Sequence, residues 1–331
     1  MAAISGHLNF WNISSEEALQ KVWLRVDNGK TVSATIAVFA IIMCPIIVFA
    51  NSLVVLSVWK DPLKKLRSSP SNYILLSMAI CDLLVGLLLC PLTVYWGFTL
   101  FYKKDPSFLP LAVSAILTPL SVGHMFLLTV DRFFALVTPL QYRVKVTNKR
   151  VCIATGTCWV YFVSYGCAFH LLREYYIIMG TIYNLQVFFA IICILAMYVV
   201  MLYRFHSYSK SIALNEQSNA NRNQMLQRER NLSKAIATVI CAFLICFLPW
   251  FIVQILIYVC LPCHPNLSLL VLFNALSANL VHANSGVNPF LYAWRLRKYR
   301  DTFKHLLKEQ VTCCDNQNGQ AVENCVYDTR L

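Results

Sequence analysis

Asp82 is the only charged side chain between Ser68 and Tyr102. A carboxyl group in so apolar a run must find a partner, accept several hydrogen bonds or hold a proton. Two further groups stand out. Asp131 and Arg132 close another charge-free run, directly before Phe133, and Asn288-Pro289-Phe290-Leu291-Tyr292 closes a third. Nowhere does a nucleophile stand with a base, and no His, Cys, Asp and Glu set has the spacing of a catalytic metal site, so the residues give no footing for an enzyme.

These groups are carried by seven runs that avoid charge. Thr31 to Trp59, Pro106 to Val130, Val151 to His170, Tyr175 to Tyr203, Ala235 to Cys263 and Pro265 to Trp294 contain no Asp, Glu, Lys or Arg, and Ser68 to Tyr102 contains Asp82 alone. A charge near a bilayer centre costs roughly 2.5 to 3.5 kcal/mol on insertion scales. Each run supplies the ~20 apolar residues of a spanning helix. With 58% hydrophobic and 13% charged residues, concentrated in these windows instead of alternating at a helical period, a soluble fold is excluded. No repeat of solenoid length appears, nor do the paired repeats of a transporter or the carbonyl and charge rings of a channel.

With the N-terminus outside, the segments 59–69, 132–150, 204–234 and 295–331 face the cytoplasm and hold 22 of the 28 Lys and Arg residues. The positive-inside rule supports that orientation. The net charge of +13 is then a topology signal and an attraction to anionic lipid, and not a nucleic-acid footprint. The expected organisation is an extracellular segment 1–30, a seven-span domain 31–294, an amphipathic juxtamembrane helix 295–309 and a cytoplasmic tail 310–331. Residues 1–30 show no apolar core of a cleaved signal, so the first span is expected to direct insertion. Asn12-Ile13-Ser14 is a glycosylation acceptor sequence on the outer side. Cys260 and Cys263 bracket Leu261-Pro262 in the outer loop before the seventh span, where a local disulfide is expected; zinc is the alternative, with only His264 adjacent.

Six spans carry a recurring set of markers: Asn51; Leu76 to Asp82; Asp131-Arg132-Phe133; Trp159; Cys246-Phe247-Leu248-Pro249; and Asn288 to Tyr292. In this order the chain resembles a rhodopsin-like (class A) G-protein-coupled receptor from about residue 31 to 308. The resemblance implies an all-α membrane protein, a seven-helix bundle with a short eighth helix in the plasma membrane, that activates a heterotrimeric G protein and is then engaged by arrestin. It needs no cofactor. It places Ser121, Asn284, Ser285 and Asn288 around a sodium ion beside Asp82, and all five side chains carry oxygen suited to a hard cation. A protonated Asp82 in a neutral network is the alternative.

The resemblance also implies a switch. Arg132, next to Asp131, would be held by Glu229 at the inner start of the sixth span, and outward movement of that span would part them. For Glu229, a solvated helix face is an equal reading. Tyr198 and Tyr292, the latter three residues after Pro289, resemble tyrosines that turn inward in the open form. Pro249 supplies a hinge, and Phe247 stands where most relatives carry Trp. Ser107 occupies the place of the Cys that usually ties the third span to the second outer loop; that loop has no Cys, and the fifth span has no Pro, with Ala190 in its place. Adenosine, melanocortin, cannabinoid and lysophospholipid receptors form the branch this resembles.

The seventh span is most similar to that of adenosine receptors. Thr118 and His282 match two ribose-contacting positions, while Gln254 replaces an adenine-reading Asn and Phe251 replaces a His. Ser114 stands where aminergic receptors carry an Asp, which disfavours a biogenic amine. Trp250, Phe251, Phe247 and Thr118 give a mostly apolar pocket suited to a nucleoside, a lipid or a peptide side chain. A packing role for Trp250 and Phe251, and an interhelical hydrogen bond for His282, are the alternatives. At the other end, Leu296, Tyr299, Phe303, Leu306 and Leu307 among basic residues suit an amphipathic helix on the bilayer surface. Cys313 and Cys314 follow as palmitoylation candidates. Asp328-Thr329-Arg330-Leu331 has the pattern of a PDZ ligand, with Thr329 and Leu331 as its anchors. A receptor-like protein that does not signal, and a transporter, are the alternatives for the whole chain.

Overall fold

The computed structural model describes residues 29–64, 66–67, 69–102, 107–213, 238, 241–256, 267–295 and 298–306. Seven long helices run through them: Gly29–Lys60, Pro70–Phe101, Leu109–Val137, Asn148–Leu171, Tyr176–Ala213, Cys241–Leu256 and Leu267–Arg295. A short helix, Pro139–Lys145, follows the third span, and another covers 298–306. No strand occurs among the described residues.

Five of the helices are long and apolar enough to cross a membrane. The seventh is 29 residues long and buries Ser277, Asn279, Asn284, Ser285 and Asn288. The bundle is apolar outside and keeps its polar side chains within an otherwise apolar core. Phe189 and Ile245 are 68% and 70% exposed, whereas Asp82 and His124 are fully buried. Such an arrangement suits lipid as the outer solvent. The third span is the central one, packing against the second, fourth and fifth.

Small residues let the first two spans approach. A Cβ on Gly97 would meet the Ser33 carbonyl at 2.9 Å and the Ala37 Cβ at 3.0 Å. One π turn, Val85–Leu89, interrupts the second span just before Cys90-Pro91. Pro91 has no N–H to give the preceding turn, and the wider turn absorbs that loss.

The third helix runs four residues beyond Phe133, to Val137, so Asp131-Arg132-Phe133 lies within its last turns. The connection between the fourth and fifth spans is almost wholly helical: Leu171 ends one, Arg173–Tyr175 form a 3-10 turn, and Tyr176 begins the next. Ser107, at the place of the absent cysteine, accepts a hydrogen bond from the Leu109 N–H at 3.2 Å. Beside it Phe108 stacks on Phe169 with ring centroids 5.4 Å apart, in a cluster with Ala115 and Met179. Aromatic packing thus joins the third and fourth spans where the resemblance leads one to look for a covalent tie.

Lys60 and Arg132 mark one end of the bundle, its basic end. There Asp61, at φ 35°, turns the chain out of the first span, a conformation that Asp tolerates. Its carboxylate accepts from the backbone N–H groups of Leu66 and Arg67 at 3.0 to 3.1 Å. Arg67 donates to the Val58 carbonyl at 3.1 Å and also to that of Trp59, satisfying the helix C-terminus. Asn72 donates to the Leu66 carbonyl and accepts from Lys298 at 2.7 Å and from Tyr299 at 3.5 Å. These bonds tie helix 298–306 to the second span, with Tyr299, Phe303 and Leu306 buried.

Candidate functional site: a polar axis through the bundle

The second, third and seventh spans meet at Asp82. Its Oδ1 accepts from Ser285 at 2.7 Å and Ser121 at 3.3 Å, and its Oδ2 from the Asn288 amide at 2.9 Å. Asn284 is also buried but makes no hydrogen bond to Asp82. Three of the four companions expected from the sequence are therefore brought to the acid. Asn51, 1% exposed, reaches the same place from the first span and donates to the Ser285 carbonyl at 2.9 Å and the Ile47 carbonyl at 3.0 Å. The carboxylate and two hydroxyls are hard oxygen donors, so the residues fit a sodium ion.

Toward the basic end, Asp131 collects three donors. Ser71 Oγ lies 2.7 Å and Arg132 Nε 3.1 Å from its Oδ2, and Tyr142 OH lies 2.8 Å from its Oδ1. Asp131 is buried and Arg132 partly exposed. Tyr142 comes from the short helix after the third span, and burial, with Asp131 adding to it, raises its phenol above the ordinary range. Close by, burial and the Arg132 charge lower the Lys298 ammonium from 10.5 to about 8, against the opposing pull of Asp131 and Asp61. Glu229 lies outside the described residues, so the acid seen to hold Arg132 is Asp131. That neighbour was legible as a pair in the sequence; Ser71 and Tyr142 were not, because nothing in spacing tells which hydroxyl will reach across.

Between the two acids lies a network that sequence reasoning missed. His124 is fully buried, with Nδ1 2.8 Å from the Leu120 carbonyl and Nε2 2.7 Å from Ser77 Oγ. A carbonyl can only accept, so Nδ1 carries the proton and Nε2 accepts from Ser77. The Trp159 indole donates to the same Ser77 oxygen at 2.9 Å. A chain of donors thus links the fourth, second and third spans without a free polar atom. The signal available was a lone His inside a charge-free run.

Beyond Asp82, away from the basic end, the polar side chains are less committed. Ser121 fixes one face of the third helix as interior, and Thr118 and Ser114 continue that face. Their hydroxyls lie 3.3 Å apart. Ser285 does the same for the seventh helix, whose His282, Ala278 and Asn274 continue its face. His282 makes no hydrogen bond to any described residue. From the sixth helix Gln254 donates to the Asn274 side-chain oxygen at 3.1 Å. Below Gln254 on that helix come Trp250, edge-on to Tyr183 at 5.8 Å, and Phe247, buried and stacked on Phe243 at 4.4 Å. Phe251 stacks on Phe188 of the fifth helix at 4.7 Å. Trp250 and Phe251 therefore both contact the fifth span. Asn274 was not singled out in the sequence.

Of the switch residues, Tyr198 packs against the core, while Pro249, Pro289 and Tyr292 lie within their helices. Asn12, Glu229, Cys260, Cys263, Cys313, Cys314, Thr329 and Leu331 lie outside the described residues.

A seven-helix bundle with an intramembrane acid bridged to the seventh span, and an acid–arginine pair at one end of the third, defines a class of membrane receptor. The family model described as "7 transmembrane receptor (rhodopsin family)" matches residues 50–292, and the chain belongs to that family. It is similar to the dog adenosine receptor A2a, 28% identical over 313 residues that cover 85% of this chain and 72% of the relative. It is similar also to the bovine adenosine receptor A3, 23% identical, covering 78% of this chain and 86% of the relative. The human 5-hydroxytryptamine receptor 4 is 26% identical, with 92% and 84% covered. The protein is thus a multi-pass plasma-membrane receptor of the G-protein-coupled class and not an enzyme.

Proposed function

We propose that this receptor binds an extracellular nucleoside in the half of the bundle beyond Asp82 and responds by opening its basic end to a heterotrimeric G protein. What supports the reading is that polar side chains of three spans beyond Asp82 make few hydrogen bonds to the described residues. Thr118 and Ser114 on the third helix, His282 on the seventh and Gln254 on the sixth all lie beyond Asp82, and Trp250, edge-on to Tyr183, adds an aromatic surface one turn below Gln254. A pocket of few polar groups on apolar walls suits a neutral ligand. The similarity to adenosine receptors supports His282 and Thr118 as contacts to a ribose. The 5-hydroxytryptamine receptor likeness is comparable in identity, but Ser114 offers a hydroxyl where an ammonium ligand needs a carboxylate. A lipid amide or a peptide side chain is the next class.

The basic end faces the cytoplasm in this reading, and the N-terminal segment with Asn12 faces outward. Outward movement of the sixth helix about Pro249 releases Arg132, with Glu229 as a second partner in the closed state, and Tyr198 and Tyr292 turn in behind it. Phe247, stacked on Phe243, moves with that hinge. Sodium at Asp82, Ser121, Asn284, Ser285 and Asn288 favours the closed form. Arrestin engages the same end, acylation at Cys313 and Cys314 anchors the tail, a disulfide joins Cys260 to Cys263, and Thr329 with Leu331 recruits a PDZ domain.

The test is a cellular screen of nucleosides, lysolipids, endocannabinoids and peptides on wild type and His282→Ala. A nucleoside response lost in the variant supports the reading. Equal responses in both remove the nucleoside pose.

A further inference from the structure

We propose that Thr147 is the target of a protein kinase that reads basic sequence, and that a phosphate there releases the short helix Pro139–Lys145, and with it Tyr142, from Asp131. The proposal rests on the reading that the basic end faces the cytoplasm, where ATP is held, and it assigns that end a modification site.

Thr147 stands amid cations. Arg143 and Lys145 precede it by four and two residues, Lys149 and Arg150 follow it by two and three, and no Asp or Glu occurs between Asp131 and Glu174. A kinase cleft lined with carboxylates is drawn to such a segment. The fold also presents this hydroxyl. Ser57, Ser71, Thr129 and Thr302 at the same end are buried, and Thr138 is half-buried and donates to the Phe134 carbonyl at 3.2 Å, whereas Thr147 is exposed. Val146, at φ -94° and ψ 101°, and Thr147, at φ -114° and ψ 156°, are extended between two helices. The helix before them has only seven residues, too few to persist without contacts from elsewhere, so this side of the segment can open into a cleft.

In the transfer Thr147 Oγ1 attacks the γ-phosphorus of magnesium-bound ATP and a kinase carboxylate takes the hydroxyl proton. The bond from that phosphorus to the bridging oxygen of the β-phosphate breaks, and ADP leaves with its electron pair. The product carries roughly −1.5 to −2 charge and three acceptor oxygens. Arg150 is the cation placed to answer it. Its backbone N–H already points at Thr147 Oγ1, at 3.4 Å, and its guanidinium donates to the Lys145 carbonyl at 2.7 Å, capping the short helix. A guanidinium bonds a phosphate more strongly than a neutral carbonyl. Arg150 therefore turns to the phosphate, and the last turn of helix Pro139–Lys145 loses its cap. That helix carries Tyr142, whose OH donates to Asp131 Oδ1 at 2.8 Å. Asp131 then keeps Ser71 and Arg132 but loses the donor supplied from outside the spans. One phosphate thus acts on the acid that pairs with Arg132.

The test treats the purified full chain in lipid nanodiscs with MgATP and the catalytic fragment of protein kinase C, which favours Lys and Arg on both sides of its target. A basic reference peptide in the same tube reports kinase activity, and peptide mass spectrometry locates the phosphate. Hydrogen exchange follows the Tyr142 and Val146 amides, which donate to the Thr138 and Tyr142 carbonyls at 2.9 Å. We expect phosphate on Thr147, formed roughly tenfold more slowly when Lys149→Gln and Arg150→Gln together remove the following cations. Phosphorylation must speed exchange of both amides roughly tenfold. Thr147→Val must abolish that response, and Arg150→Gln alone must exchange fast with or without phosphate. The wild-type comparison before and after kinase stands without any variant. A labelled reference peptide beside unlabelled Thr147, or phosphate on Thr147 with exchange unchanged or slowed, overturns the proposal and leaves the orientation untouched, because nanodiscs expose both ends. Antibody to an N-terminal tag tests the orientation separately. Binding to intact cells supports a cytoplasmic basic end; binding only after permeabilisation removes that orientation and the kinase's access together.

Discussion

Toward the basic end, Asp82 and Asp131 accept from Ser121, Ser285, Asn288, Ser71, Tyr142 and Arg132, and His124 completes a chain with Ser77 and Trp159. Toward the far end, Ser114, Thr118, Gln254 and Asn274 each spend one described side-chain hydrogen bond on the protein, and His282 spends none. The two halves answer the same cost of burying polarity in opposite ways. One bonds most of its polar groups to each other across helices, with Asn51 Oδ1 left unpartnered; the other spends fewer bonds on the described residues. A bistable element coupled to a receptive one is what a ligand-operated switch requires.

That contrast is broken most severely at Asp82. Asp82→Leu leaves the Ser285, Ser121 and Asn288 donors without their acceptor, each costing about 1 to 3 kcal/mol when buried. We expect a large fall in Tm, measured by thermal unfolding in nanodiscs, and loss of any difference between sodium and choline buffers. A sodium effect that persists in the variant would move the ion elsewhere. Next comes Ser77→Ala, which strands the Trp159 indole N–H and His124 Nε2. Its expected cost is about 1 to 3 kcal/mol, read as a lower Tm, with Ser77→Thr restoring much of it.

The half toward the basic end was only partly legible in the sequence. Asp82, Arg132 and Asn288 announce themselves because charge and amide groups are rare in spans, and three of the acid's companions follow. His124, Ser71 and Tyr142 do not, since a buried hydroxyl or imidazole acquires its role from whatever lies opposite on another helix. The half beyond Asp82 shows the same limit. Gln254 was visible as a replacement, but its partner Asn274 lies on a different helix with no spacing to betray it. The seven runs mapped well onto helices because exclusion of charge is a property of each run alone. Where the Ser107 position and the cysteine-free loop left a gap, Phe108 on Phe169 filled it, a contact that depends on two spans meeting.

A smaller effect probes the basic end. The Lys298 ammonium is lowered to about 8 by burial and by Arg132. Between about 8 and its ordinary 10.5 the unfolded chain binds the proton that the folded chain has lost, so stability rises with pH across that window. Below it, the burial penalty is constant. Relative to Lys298→Met, wild type should gain stability from pH 8 to 10; parallel curves would place Lys298 in water. The smallest expected stability change is in the half beyond Asp82. Thr118→Val removes a hydroxyl that, among the described residues, bonds to Ser114 alone, and should alter stability by no more than about 0.5 to 1.5 kcal/mol. Nucleoside affinity should nonetheless fall. A variant in that half as destabilising as Ser77→Ala would erase the contrast between the halves.

The central claim is that the basic end is a switch for a G protein, and energy transfer between Gα and Gβγ in cells expressing the full chain tests it most directly. We predict that wild type, at rest or under the ligand screen, dissociates the subunits, and that Arg132→Ala at equal surface expression abolishes the signal. Wild-type and Arg132→Ala signals of equal size, or a wild type that reaches the surface and never signals, would contradict it.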